Sequence, residues 1–296
     1  MKVKRRTFLK LSATGAGVMV FRGEAFAAAL SAGKGKQKTL LLGGSAFACG
    51  LALAHPEEVF VLERGIHLVP EFALAYDPLE PGKPRTDLGR RICGDLEGCG
   101  ILSGGKLHHP PLADYFADLM TRRGCNLLLN AETMEIEQVR GGFRVTVCAT
   151  DGLSSFTVAD VIDTTPEGWR DIGRSAVRAK ALTATLQGKL PDGKEELRTT
   201  GAALRKGVFP DEWLLRVELP AATDWHNARL KLHSAWEALK PHCPELKPAA
   251  EAGAIACTYG GERIKRPGAN GIAWVPGAQF GDLMTALEEG LSWNLD

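Results

Sequence analysis

The 296-residue chain has only three tyrosines, and aromatic residues make up 7% of it. None of the three supports a Tyr-x-x-x-Lys proton-transfer pair: Glu80, Leu119 and Arg263 stand four residues after Tyr76, Tyr115 and Tyr259. That argues against a short-chain nicotinamide-dependent reductase. Neither sign of charge prevails. With 36 basic and 35 acidic side chains, the chain lacks the basic excess of a general nucleic-acid binder. No apolar run reaches the roughly 20 residues a membrane-spanning helix needs, and there is no internal repeat or low-complexity segment. A serine-hydrolase elbow is missing as well, because Gly43-Gly44-Ser45-Ala46-Phe47 comes near G-x-S-x-G but lacks the closing glycine. What is there is a globular composition, 45% hydrophobic and 24% charged, long enough to bury a sizeable core.

The first residues differ from the rest. A basic opening (Lys2, Lys4, Arg5, Arg6) precedes a mildly apolar run from Phe8 to Phe21, then an A-x-A pattern at Ala25-Phe26-Ala27. This is the layout of a secretory signal. The segment Arg5-Arg6-Thr7-Phe8-Leu9-Lys10 resembles the twin-arginine export signal, with Lys4 where that signal usually has Ser or Thr. The resemblance implies a signal peptide over residues 1–27, recognition by the twin-arginine export machinery, and a periplasmic or otherwise exported protein. That route carries folded proteins, often with a cofactor already inserted. Removing the signal takes away six basic residues and one acidic residue, so the remainder is net acidic. All seven cysteines lie beyond it, and an odd number leaves at least one thiol unpaired within the chain. Cys49, Cys125 and Cys148 sit in apolar stretches and are expected as buried small hydrophobes.

After a linker over residues 28–38, order is expected to begin with a short strand at Thr39–Leu42, a Gly turn, and a helix of small residues from Ala46 to Ala54. A second strand, Val59–Leu62, ends at Glu63-Arg64-Gly65, completing a βαβ unit. Residues 66–106 are Gly- and Pro-rich and read as long loops. Apolar residues at 112, 115, 116, 119 and 120 predict a helix over Leu112–Arg123. A buried strand at Asn126–Leu129 and a three-stranded meander over residues 134–158 follow, with turns at Gly141-Gly142 and Asp151-Gly152, and then a strand at Val161–Thr164. From 171 to 268 the pattern changes to strands around a helix over residues 224–239, whose apolar face is read as Leu230, Ala235, Trp236 and Leu239. The tail reads as strand, turn, helix, ending with Leu283–Leu291.

The first βαβ unit offers a phosphate-binding turn, since helix N-terminal N–H groups and the positive dipole end face an anion there. Gly43 makes the tight turn, Ser45 takes the position of close backbone approach, and Ala48 allows close helix–strand packing. Glu63, 20 residues after Gly43, stands where an acidic residue accepts hydrogen bonds from a ribose.

This order of elements is similar to the FAD-binding fold of the glutathione-reductase-like flavoproteins, over Thr39 to about Gly173 and again over Asn270 to Leu291. The fold implied is α/β: a parallel Rossmann-type FAD-binding sheet with a β-meander (residues 39–170 and 269–296) and a smaller inserted α+β subdomain (171–268). The resemblance assigns pyrophosphate contacts to Gly43, Gly44, Ser45 and Ala46, ribose contacts to Glu63 with Arg64 beside it, and adenine contacts to Thr133 and Met134. Gly277 and Ala278 fall in the family's last FAD-contacting segment. Three positions depart from the family: Ser45, Pro166 after the closing Val161–Thr165 strand, and Ala278. The activity implied is FAD-dependent oxidation or reduction of a small-molecule substrate. The departures favour an alternative, a non-catalytic subunit or binding module that kept the fold.

Other candidates carry weaker signals. Cys93 and Cys99, with five residues between them in a Gly-rich segment, are expected as a structural disulfide or two free thiols rather than a redox pair. Adjacent His108 and His109 point to opposite faces of an extended segment, so a solvated turn is expected rather than a metal site. Glu262, Arg263, Lys265 and Arg266 form a charge cluster read as a solvated loop.

Overall fold

Thr39–Leu42 (β1) has every side chain buried, because it is the middle of a sheet covered on both faces. The computed structural model describes residues 38–77, 80–169, 176–190, 196–199, 201–260, 266–267 and 271–295. Val59–Glu63 (β2) and Asp160–Asp163 (β9) flank β1, both parallel to it. Asn126–Leu129 (β5) extends the sheet beyond β2, and Ala273–Trp274 (β17) extends it beyond β9, again parallel. Arg266–Pro267 (β16) adds an antiparallel edge.

Alternation along the strands assigns the two faces. Leu41, Val59 and Val61 pack against the helices Ala46–Ala54 (α1), Leu112–Arg122 (α4) and Leu283–Leu291 (α6). Leu40, Leu42, Phe60 and Leu62 face the meander Glu132–Val139 (β6), Gly142–Ala149 (β7) and Gly152–Val158 (β8) through Ile136, Val145, Val147 and Phe156. Burial on both sides explains why these strands read as unbroken apolar runs. Phe47 ties α1 to the chain end, stacking on Phe280 and meeting Trp293 edge-on.

A second sheet is antiparallel, in the order Glu196–Thr199 (β11), Ala202–Lys206 (β12), Glu212–Pro220 (β13), Val177–Gln187 (β10) and Lys247–Glu251 (β14). Ala256–Tyr259 (β15) also pairs with β10. Trp225–Leu239 (α5) packs on this sheet, capped by the Asp224 side chain on the Asn227 N–H. That cap sets the helix phase. The buried face is Ala228, Leu232, Trp236 and Leu239, while Leu230, expected in the core, is 53% exposed.

The segment over residues 66–106 is not simply loop. It holds the short helix Pro70–Ala73 (α2), the helix Asp87–Gly98 (α3) and a hairpin of Leu102–Ser103 (β3) with Lys106–Leu107 (β4). α3 buries only Gly89, Ile92 and Leu96, too few apolar positions to show a period. What starts it is the Thr86 hydroxyl, which accepts the Gly89 N–H.

Candidate active site

The turn after β1 is locked from two sides. Gly43 has φ +88°, a left-handed conformation that favours glycine. A Cβ there would also lie 3.0 Å from the Thr165 side chain. The Thr164 hydroxyl lies 2.9 Å from both the Leu42 and Gly43 carbonyls, so the end of β9 holds the end of β1. Ser45 then starts α1 as its N-cap, its hydroxyl accepting the Ala48 N–H at 3.1 Å. This gives the departure at Ser45 a physical reason: the side chain closes the helix end. Gly277 compensates for it, since a Cβ at Gly277 would come within 2.7 Å of the Ser45 hydroxyl oxygen.

Glu63 ends β2 with its carboxylate turned into the turn. Oε2 accepts the Gly44 N–H and Oε1 the Gly65 N–H, both at 2.6 Å. Burial pushes this carboxyl up, and the two backbone N–H groups pull it back down. Arg64 is exposed and ion-paired with Glu132 at 2.7 Å.

A trough of about 650 Å³ opens at this end of the parallel sheet. Gly43, Glu63, Arg64 and Thr133 line one stretch of it, Thr165, Pro166 and Trp169 the middle, and Lys180, Trp225, Ile255 and Cys257 the side formed by the antiparallel sheet. Four of the residues singled out in the sequence are thus brought together. Gly44, Ser45 and Ala46 do not line the trough, and neither do Met134, which is 53% exposed, or Gly277 and Ala278, which open a 3-10 turn over Gly277–Phe280.

Several residues of the site carried no sequence signal. Asp163, fully buried at the end of β9, accepts the Thr165 N–H at 2.9 Å and the Thr165 hydroxyl at 2.7 Å, and also the Trp169 N–H, which shapes the loop bordering the trough. Lys180, in the middle of β10, is 7% exposed, with Nζ 2.6 Å from Glu167 Oε1 and 3.3 Å from the Thr223 carbonyl. Beside it, burial pushes the Cys257 thiol up to about 11, so it stays protonated. The Tyr259 hydroxyl donates to the Pro166 carbonyl at 2.6 Å and fixes the same loop from β15. Glu71 on α2 places its carboxyl at the start of α1, where Oε1 accepts the Ala46 N–H at 2.7 Å. The Asp163 contacts are local, whereas those of Lys180, Tyr259 and Glu71 are made only by the tertiary fold, across 13 to 93 residues.

The remaining candidates fall elsewhere. Cys93 and Cys99 are both free, on α3 and at its C-terminal cap. Cys148 is exposed, because β7 alternates and its side chain faces away from the core. His109 is not a solvated turn residue: it is 4% exposed, its Nδ1–H donates to the Phe72 carbonyl at 2.9 Å, and burial lowers its basicity. His108 packs edge-on against Phe209. Most of the 262–266 charge cluster lies outside the described residues. Among the described residues no three His, Cys, Asp or Glu side chains gather as a metal site, and no helix is long and apolar enough to cross a membrane.

These residues fit a bound dinucleotide at the nucleoside end, where Glu63 and Thr133 line open space. At the start of α1 they do not fit a diphosphate, because Glu63 and Glu71 hold the Gly44 and Ala46 N–H groups and Ser45 and Ala46 are buried.

No family model and no curated protein matches the sequence. Solved structures do. The flavin-dependent halogenase CmlS aligns with a TM-score of 0.60 at 12% identity, over 87% of this chain and 57% of its own. A geranylgeranyl bacteriochlorophyll reductase-like protein from Thermoplasma acidophilum aligns at 0.58 and 12%, over 86% and 76%. The anhydrotetracycline hydroxylase OxyS from Streptomyces rimosus aligns at 0.55 and 16%, over 86% and 60%. This chain therefore spans little more than half the length of the halogenase. With its five-stranded parallel sheet and flanking antiparallel sheets, it shares the Rossmann-type α/β fold of these structures.

Proposed function

We propose that this chain is an exported FAD-dependent oxidoreductase acting on a small-molecule substrate. The observation that carries the reading is the trough itself. It runs from Glu63 and Thr133, past the locked turn at Gly43, to the antiparallel sheet at Lys180 and Cys257. That is the course a dinucleotide needs to present its redox end between the two sheets. Bound FAD would supply the electron-accepting ring, and the protein positions it.

The chain's own residues divide the remaining work. Glu63 keeps free lone pairs on oxygens already oriented by Gly44 and Gly65, so it can accept ribose hydroxyls. Arg64 and Thr133 border the base end. Lys180, paired with Glu167, holds a positive charge at the far end of the trough, where electron density would build on a reduced ring or an anionic substrate. Trp169 and Trp225 line the trough with apolar surface. Export follows from the Arg5-Arg6 segment, which makes the twin-arginine machinery a partner of the precursor.

A flavin absorbance spectrum of the purified protein tests the assignment. A yellow protein that releases FAD on denaturation is expected. A protein that stays colourless after incubation with FAD at pH 6 overturns it in favour of the second reading, a non-catalytic flavoprotein-fold subunit. The observation behind that reading is Glu71, whose carboxyl sits at the turn's anion position. Replacing Arg5-Arg6 with Lys-Lys in a reporter fusion tests export, and loss of the reporter from the periplasm is expected.

A further inference from the structure

The antiparallel sheet has two faces, and only one is spent on α5. Leu204, Leu215 and Val217 pack under that helix. The opposite face carries a cross-strand row of Glu196 on β11, Arg205 on β12 and Leu214 on β13, each directly paired with the next. The β3–β4 hairpin and His109, two residues past it, close over this row. Between them lies a second cavity, of about 440 Å³, and none of its lining residues belongs to the trough. Leu107 and Leu214, each 5% exposed, give it apolar walls.

Three polar groups on these walls have bonding capacity left. His109 is almost wholly buried and donates Nδ1–H to the Phe72 carbonyl. Burial lowers its basicity, so the ring is neutral and Nε2 is a bare acceptor. Arg205 gives Nε to Glu196 Oε1 at 3.0 Å, and among the described residues its two Nη groups have no partner. Lys106 reaches only the Gly207 carbonyl, at the long distance of 3.5 Å. Lys206, by contrast, is spent, with Nζ donating to the Pro210 carbonyl and lying over the Trp213 ring. Of the carboxylates, Glu196 is taken by Arg198 and Arg205, and Glu80 is exposed to water. A buried imidazole nitrogen calls for a donor, and two cations with unspent N–H groups call for an anion.

We propose that this cavity is a second ligand site, built for a small hydroxylated carboxylate. The hydroxyl donates to His109 Nε2, the carboxylate takes the Arg205 and Lys106 N–H groups, and an apolar middle lies on Leu107 and Leu214. A neutral His109 with Nδ1 already committed can only accept at Nε2, which favours a ligand with a donor there over one without. The site stands apart from the dinucleotide-binding reading, because it shares no lining residue with the trough.

Calorimetric titration of the full chain with ω-hydroxyhexanoate, hexanoate and hexanol, each with and without FAD, tests this. Hexanoate lacks the donor and hexanol the anion, so each should bind about tenfold more weakly than ω-hydroxyhexanoate. Arg205→Gln and Lys106→Gln, at exposed positions, should each weaken ω-hydroxyhexanoate and leave hexanol unchanged. In nitrogen NMR spectra, ω-hydroxyhexanoate should move the His109 Nε2 resonance, and hexanoate should not. Equal affinity of the wild-type chain for ω-hydroxyhexanoate and hexanoate, or binding of neither, overturns the site and needs no variant to fold. Displacement of ω-hydroxyhexanoate by FAD overturns it too, since the probe would then sit in the trough. A chain that takes up no FAD yet ranks the three probes as expected loses the dinucleotide-binding reading and keeps this site.

Discussion

Two regions of this molecule bury a glutamate against the start of a helix, and they treat its charge in opposite ways. At the start of α3, Glu288 reaches over from α6. Its Oε1 accepts the Arg85 and Thr86 N–H groups at 2.7 Å each and the Thr86 hydroxyl at 2.9 Å, and its Oε2 accepts Arg85 Nε at 3.0 Å. Burial alone would raise this carboxyl, but these donors, with the Arg85 charge, hold it below the usual range. At the start of α1, Glu71 has the Ala46 N–H and an orphan Oε2, and burial wins. Glu288 is supplied with more donors, one of them charged, and Glu71 with fewer against a larger cost of burial. Glu288 is a permanent anion that joins two helices, whereas Glu71 changes charge near neutral pH.

Removing each acid should separate the two roles. Glu288→Ala strands the buried N–H groups of Arg85 and Thr86 together, so it should cost about 3–4 kcal/mol of stability in urea titration. A loss under 1 kcal/mol would mean that water replaces the carboxylate and the joint is ordinary surface. Glu71→Gln should act with the opposite sign above neutrality. A carboxyl raised from 4.5 to about 7 on folding stabilises the fold fully below pH 4.5, and that contribution is lost as pH rises through 7. The wild-type chain without ligand should therefore lose about 3 kcal/mol across this window, and Glu71→Gln should flatten that segment of the curve. Glu288, whose carboxyl is lowered, contributes above 4.5 and loses its contribution as pH falls below that. Its variant should flatten only the acid limb.

The sequence made one of these regions half visible. β1, α1 and α6 have the predicted bounds, and β2 differs by one residue, because a fully buried strand and a Gly-rich turn are local patterns. Glu63 was legible for the same reason, as its partners Gly44 and Gly65 lie within one βαβ unit. Glu71 was not: only the fold brings it to Ala46, 25 residues away in the chain. The Glu288 joint spans more than 200 residues and hides behind α3, whose sparse apolar positions gave no helical period. On α5, Trp236 and Leu239 are buried and Ala235 packs against the same core as the sequence suggests, and only Leu230, which resembles a core residue, turns out to solvent. Lys180 lies buried in β10, and only the arrival of Glu167 shows why a charge is tolerated there.

Gly277 sharpens the comparison at the crowded end. Gly277→Ala adds a methyl against the Ser45 side chain and the Glu71 carboxyl, which is overpacking in a closed space. A loss of about 1–2 kcal/mol in urea titration is expected, and an unchanged stability would show that the Glu71 side chain moves aside freely.

The smallest effect concerns Ser45, and it decides whether this departure from a glycine belongs to the ligand or to the helix. As the N-cap of α1, its hydroxyl holds the Ala48 N–H. Ser45→Ala removes that bond and should cost about 1 kcal/mol, whereas Ser45→Gly should cost only a few tenths, since glycine leaves the helix end open to water. The glycine variant also clears the Cβ that Gly277 packs against. If Ser45 serves only the helix, FAD affinity holds in Ser45→Gly and only stability changes. If instead the glycine variant binds FAD more weakly, the serine serves the ligand as well as the helix end.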